Sequence, residues 1–197
     1  MLSFAVVALD AQIANVALPA MKNSLGGDLS QLQWVVSGYT LMFSTLLLFG
    51  GTIADRIGSR AANRNGVILF VLASIACGLA PTMDALIIAR FIQGIGAALV
   101  TPTALSLIRE AFDEPKARAK AIGLWAVGGA VAAAAGPILG GLLVPIDWRL
   151  IFFVNVPIGI VSLVVISRVE LSSRKPARFD IPGQITAVIG LGSLTFA

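Results

Sequence analysis

The chain has 197 residues, of which 57% are hydrophobic and only 12% charged, and it carries a formal net charge of +4. A soluble domain is roughly 45–50% apolar and about 25% charged, so this composition leaves too little polar surface to face water on every side. The basic residues fall in short clusters between long uncharged stretches, which argues against a nucleic-acid-binding face and for a polytopic membrane protein.

A transmembrane helix needs roughly 20 apolar residues. In chain order the runs that meet this are 2–18, 32–54, 66–83, 85–108, 121–144 and 150–167, and a seventh begins near residue 181 and reaches residue 197. The predicted fold class is an all-α polytopic membrane protein: a six-helix N-terminal bundle at 1–169, a cytoplasmic linker at 170–180 and the truncated start of a seventh span at 181–197. The N-terminus makes a poor signal peptide, because it lacks a basic leader and Asp10 interrupts the apolar stretch, so span 1 is expected to be retained.

Orientation follows from the loops. One alternate set holds Arg56, Arg60, Arg64, Arg109, Lys116, Arg118, Lys120, Arg168, Arg174, Lys175 and Arg178, whereas the opposite set holds Lys22 and Arg149. The richer set is cytoplasmic by the positive-inside bias, so span 1 runs from inside to outside. Trp34, Tyr39 and Trp148 fall near the outer helix ends and read as interfacial anchors.

Two charges lie inside the spans. Asp10 is the acid at the middle of run 2–18, and Arg90 is the base in run 85–108. A charge at mid-bilayer costs about 2.5–3.5 kcal/mol on insertion scales, so such residues face a cavity or a partner and commonly carry function. The chain has no histidine, so proton chemistry near neutral pH falls to a carboxylate, and Asp10 is the candidate. Arg90 is either its partner or a donor to backbone carbonyls that locks span 4 on span 1. Gln93 follows Arg90 on the same face. Gln12, Asn15 and Trp125 are candidate cavity-lining groups, with Asn155 a further polar residue in span 6. On an ideal helix Asp10 points about 140–160° away from Gln12 and Asn15, so these groups cannot all line one cavity.

In span 5, Ala132, Gly136 and Gly140 recur every fourth residue and share one face, as a packing seam requires. Pro137 removes a backbone donor there and is expected to bend or hinge the helix. The single cysteine, Cys77, allows no internal disulfide. No phosphate-binding glycine loop with lysine, metal-binding pair or nucleophile–base set is present, so no enzyme activity, metal or cofactor is expected.

Five stretches carry a family resemblance. Gly51-Thr-Ile-Ala-Asp55-Arg56-Ile-Gly58-Ser-Arg60 resembles the loop 2–3 signature of the major facilitator superfamily. Arg90-Phe-Ile-Gln93-Gly94-Ile-Gly96-Ala-Ala is similar to its span 4 motif, and Gly136-Pro137-Ile-Leu-Gly140-Gly141 to the span 5 motif associated with antiporters. Leu9-Asp10-Ala-Gln-Ile-Ala-Asn15-Val-Ala-Leu-Pro19 and Trp148-Arg149-Leu-Ile-Phe-Phe-Val-Asn155-Val-Pro157-Ile-Gly159 resemble spans 1 and 6 of the fourteen-span drug:proton antiporter family. Gln12, Ser59, Ala132 and Leu150 depart from the residues that family favours.

The resemblance implies a rocker-switch exporter of drugs or other small amphipathic molecules in the bacterial inner membrane, with protons as counter-ion, and with a C-terminal half that this chain does not contain. It assigns Asp10 and Arg90 to proton coupling. Gly51, Asp55, Arg56, Gly58 and Arg60 become a cytoplasmic gate, in which Asp55 pairs with loop arginines. Gly136, Pro137, Gly140 and Gly141 become a span 5 hinge or packing seam. A metabolite or siderophore exporter of the same fold, or a truncated remnant that inserts without transporting, are the alternatives.

The orientation is testable with single cysteines in a Cys77→Ser background. Positions Ser59, Ala117 and Ser173 are expected to stay unlabelled by an impermeant thiol reagent in intact cells, while Ser24 and Asp147 label. Labelling of position 59 from outside would overturn the orientation.

Overall fold

A computed structural model describes residues 2–169, together with Gly183 and Thr186. The described chain is helical: α1 Leu2–Leu25, α2 Leu29–Ile57, α3 Ser59–Gly78, α4 Met83–Ala111, α5 Pro115–Leu143, α6 Leu150–Phe153 and α7 Asn155–Ser167. The last two form one span, so six helices are long and apolar enough to cross a membrane. The expected linker at 170–180 and the seventh span at 181–197 lie outside the described residues, Gly183 and Thr186 apart.

Local chemistry sets the helix ends. Gly26 and Gly27 take φ values of 73° and 101°, and Asp28 then opens α2 with a capping box: the Gln31 amide N–H donates to Asp28 Oδ1 at 2.8 Å, and the Asp28 N–H donates to Gln31 Oε1 at 3.3 Å. The Gln31 carboxamide also donates to Asp84 Oδ1 at 2.8 Å, which ties the outer ends of α2 and α4. Thr82 caps α4 by accepting from the Ala85 N–H at 3.3 Å, and Pro115 opens α5. Pro157 cannot donate to the Phe153 carbonyl, and the sixth span breaks just there, at Val154.

The largest departure from the hydropathy reading is at span 3. It starts at Ser59 rather than residue 66, so one residue, Gly58, joins α2 to α3. Gly58 has φ 90° and its N–H donates to the Ala54 carbonyl at 2.9 Å, a backbone setting that only glycine adopts without strain. Arg60 and Arg64 therefore sit in the first turns of a helix, where hydropathy counts them as loop. Ser59 is buried and donates to Glu110 Oε1 at 2.6 Å, so position 117 is the informative cytoplasmic label.

α4 packs against α2, α3 and α1; α1 also packs against α5, and α3 against α7. Missing side chains make the close contacts. A Cβ at Gly94 would stand 2.5 Å from the Tyr39 carbonyl oxygen, and one at Gly96 would stand 2.7 Å from the Phe70 nitrogen. The span 5 seam joins α5 to α1: a Cβ at Gly136 would stand 2.7 Å from Gln12 Cβ and one at Gly140 2.9 Å from Val16 Cβ, with Gly129 against the Phe4 ring. Gly141 points outward with no heavy atom within 4 Å of its Cβ position, and α5 runs as one helix through Pro137.

Two apolar layers fill the bundle. One contains Ile13, Val35, Cys77, Leu86 and Phe152; the other contains Val6, Val67, Phe70, Ala97 and Val100. The outward surface is apolar too, with Leu48, Val131 and Ile138 exposed at 69%, 63% and 67%. A water-soluble protein does not expose such a stripe.

Gly94→Ala is expected to lower stability by about 1–3 kcal/mol through overpacking of α2 on α4. Gly123→Ala, where nothing lies within 4 Å of the Cβ position, serves as the control and is expected to be neutral or stabilising. Thermal unfolding in detergent reads both, and equal midpoints would remove close α2–α4 approach as a determinant.

Candidate functional site

Between the two apolar layers every inward-facing position that carries a polar group belongs to one cluster. Asp10 comes from α1, Arg90 and Gln93 from α4, Ser74 from α3 and Asn155 from the start of α7, and none of these five exceeds 1% exposure. The buried face of α1 repeats at Ser3, Val6, Val7, Asp10, Ile13, Ala14 and Ala17. That helical period places the carboxylate on the inward stripe.

Both carboxylate oxygens of Asp10 are engaged. Oδ2 accepts from Arg90 Nη1 at 2.6 Å, the one ion pair among the described residues. Oδ1 accepts from Asn155 Nδ2 at 2.7 Å and from Gln93 Nε2 at 2.9 Å. Arg90 has further partners: Nε donates to the Val35 carbonyl at 3.0 Å, Nη1 also to Gln93 Oε1 at 2.9 Å, and its Cζ lies 4.2 Å from the centre of the Tyr39 ring. Asn155 also donates to Ser74 Oγ at 2.9 Å, and Ser74 in turn donates to the Phe152 carbonyl at 2.9 Å. The Cys77 thiol lies 3.5 Å from Gln93 Oε1. Asn155 Oδ1 is buried with no protein partner.

A buried charge pair is tolerable only with good geometry and with its remaining lone pairs and protons satisfied. Here neutral amides, a hydroxyl and backbone carbonyls do that. The same arrangement can do one piece of chemistry: a proton added to Asp10 removes the negative charge, while Arg90 keeps Val35, Gln93 and the Tyr39 ring as partners. Among the described residues no group of histidine, cysteine and acidic side chains could hold a metal ion.

The structure thus brings Asp10, Arg90 and Gln93 together, and separates them from Gln12 and Asn15. Both of those are exposed on the opposite side of α1, as the helical angle requires, and Asn15 Nδ2 donates to the Ala11 carbonyl at 3.3 Å. Trp125 is half-buried and stacks on Phe4 with ring centres 4.2 Å apart. Tyr39 and Trp148 are not interfacial anchors: they are 3% and 5% exposed, one under Arg90 and the other under Arg149 with its ring 4.4 Å from the guanidinium carbon. Residue position along the span cannot tell an inward aromatic from an outward one. Ser74 was invisible in the sequence because a lone serine in an apolar run has many structural uses.

The cytoplasmic motif divides in two. Arg60 Nε and Nη2 donate to the Ile166 and Ser167 carbonyls at 3.2 and 2.7 Å, closing the C-terminus of α7 onto α3. Asp55 and Arg56 are exposed in the last turn of α2, about one turn beyond half-buried Gly51, and Asp55 makes no hydrogen bond or ion pair with a described residue. The expected pairing of Asp55 with loop arginines is therefore not formed here.

A family model described as Major Facilitator Superfamily matches residues 1–193, and the chain belongs to that superfamily, as a multi-pass integral membrane protein. It is 44% identical over 200 residues to the methylenomycin A resistance protein of Bacillus subtilis, covering 100% of this chain and 42% of that protein. It is 44% identical over 192 residues to the multidrug resistance protein Stp of Mycobacterium tuberculosis, covering 96% of this chain and 36% of that one. The chain thus spans roughly two fifths of the length of these relatives. In fold it is similar to the inward-open xylose transporter XylE of E. coli, with a TM-score of 0.73 at 16% identity, over 99% of this chain and 53% of that structure.

A double-mutant cycle measures the pair. Arg90→Gln is expected to destabilise the bundle by about 3–5 kcal/mol, because it strands the buried Asp10 charge; Asp10→Asn is expected to cost less, because Arg90 keeps Val35, Gln93 and the Tyr39 ring; and the double variant is expected to cost clearly less than the sum of the two. Strictly additive losses in detergent unfolding would show that the two groups do not interact.

Proposed function

We propose that the whole protein is a secondary active exporter of antibiotics or other small amphipathic molecules, working by exchange for protons. The observation that carries this is the fully buried Asp10 carboxylate, held at 2.6 Å by a guanidinium that has other partners. Such a pair can exist in two charge states without unfolding its surroundings. In one access state Asp10 is ionised and paired. In the other it is protonated, and Arg90 rests on Val35, Gln93 and Tyr39. Gln93 and Asn155 follow the change, since a carboxamide can donate to the ionised form or accept from the acid O–H. Export as the direction, and drugs as the cargo, rest on the similarity to resistance proteins of two bacteria. That similarity also supports the bacterial inner membrane as the location.

Gln12, Asn15 and Trp125 then take the substrate side of α1 and α5, facing the second half across the central cavity. Asp55 and Arg56 form the cytoplasmic gate with that second half, in the state where the cavity is closed to the cytoplasm. Gly136 and Gly140, on either side of Pro137, keep α5 on α1. The six helices rock as one body because glycine contacts leave little slack between them.

Substrate-induced proton release from vesicles containing the whole transporter tests the assignment. Asp10→Asn is expected to bind substrate but release no proton, and Asp10→Glu to retain part of the response. Proton release by the Asn variant equal to wild type, at equal protein level, would return Asp10 to a purely structural role.

A further inference from the structure

A cavity of about 350 Å³ opens at the cytoplasmic end of the bundle, bounded by α1, α3, α4, α5 and α7. It is separate from the Asp10 cluster: Val6, Val67, Phe70 and Val100, none above 1% exposed, lie between the two. Most of its wall is apolar, with Leu107, Ile108 and Leu124 among the lining side chains. Three polar residues also line it, Ser3, Asn63 and Ser162, and they are only 4%, 0% and 2% exposed.

Their hydrogen-bonding is incomplete. Asn63 Nδ2 donates to the Val100 carbonyl at 3.1 Å and to Thr103 Oγ1 at 2.8 Å, but its Oδ1 has no partner. The hydroxyls of Ser3 and Ser162 bond to no described residue. An unpaired buried polar group costs about 1–3 kcal/mol, so the Asn63 oxygen calls for a partner, and the Ser3 and Ser162 side chains line the same void. Water could serve the polar corner, but an apolar void of this size stays largely dry. A volume above roughly 300 Å³ with an apolar wall and a few convergent polar groups is the usual form of a small-molecule site.

We propose that this cavity binds an uncharged amphiphile, an alkyl or aromatic body with a single hydroxyl or amide head, drawn from the cytoplasmic half of the bilayer. The head donates to Asn63 Oδ1 and accepts from the serine hydroxyls, and the body lies along Leu107, Ile108 and Leu124. No charged side chain lines the cavity, so an ionised head would be buried without a counter-charge. Access is lateral. Phe112, Leu124, Val165 and Val169 line the cavity and remain 40%, 54%, 50% and 37% exposed, an apolar rim at lipid level. α5 packs chiefly on α1, which leaves its cytoplasmic end apart from α7. The site does not depend on proton exchange, and its test needs no transport.

The test uses the full chain in lipid nanodiscs and a diazirine-bearing octanol, with adducts mapped by mass spectrometry. Adducts are expected to concentrate on Leu107, Ile108 and Leu124. At equal bilayer concentration octanol is expected to displace the probe roughly fivefold better than octane, which is what one buried hydrogen bond contributes. Ala104→Trp fills the cavity and is expected to abolish these adducts with the helical circular dichroism unchanged. Ser162→Val leaves the space but removes a hydroxyl, and is expected to bring octanol and octane closer together, which decides the matter even if the tryptophan variant does not fold. Adducts spread evenly over Leu48, Val131 and Ile138 would overturn the proposal. So would cavity adducts that octanol does not displace while a diazirine-bearing phospholipid labels the same residues, since the occupant would then be a lipid chain.

Discussion

The bundle is organised around the buried contact between Asp10 and Arg90. Moving each ion out of water costs several kcal/mol even after relaxation, and their attraction offsets this only when the remaining lone pairs and protons are satisfied. That requirement sets the rotation of α1 and α4, because both charges must face inward at one depth. It draws Asn155 to the very start of α7, where the Pro157 break begins a new helix. It also places Ser74 opposite, to receive the second amide hydrogen of Asn155. Apolar layers above and below exclude water from the pair, which strengthens it and raises the cost of losing either partner.

Helices in lipid gain nothing from burying apolar surface against one another, so close backbone approach has to supply the packing. Here it comes from glycine. Gly94 and Gly96 follow Gln93 by one and three residues on α4, and they let α2 and α3 close on it from two sides. Tyr39 depends on the same approach: only with Gly94 against its carbonyl can its ring lie beneath the Arg90 guanidinium. The packing seams and the polar cluster are therefore one construction.

The cytoplasmic face shows a different economy of parts. Gly58 alone turns the chain between α2 and α3, Ser59 bonds to Glu110 on α4, and Arg60 holds the last carbonyls of α7. Three consecutive residues thus join four helices at the membrane surface. Asp55 and Arg56 are exposed in the last turn of α2. The resemblance in this stretch to a superfamily signature has a physical basis in that short connection.

Much of this was legible from the residues alone. Span number and the identity of the two intramembrane charges depend on composition within a window of about 20 residues, because the cost of placing a side chain in lipid is local. Helical geometry alone also separated Asp10 from Gln12 and Asn15. What the sequence could not decide was partnership. Asp10 meets Arg90 across 80 residues and Asn155 across 145, and nothing near either position in the chain announces that contact. Tyr39 and Trp148 look like interfacial aromatics until the inward face of each helix is known, and span 3 looks shorter than it is because arginines in a first helical turn read as loop. Those matters were settled only by tertiary packing, since the rotation and close approach of each helix depend on glycines and polar groups carried by the others.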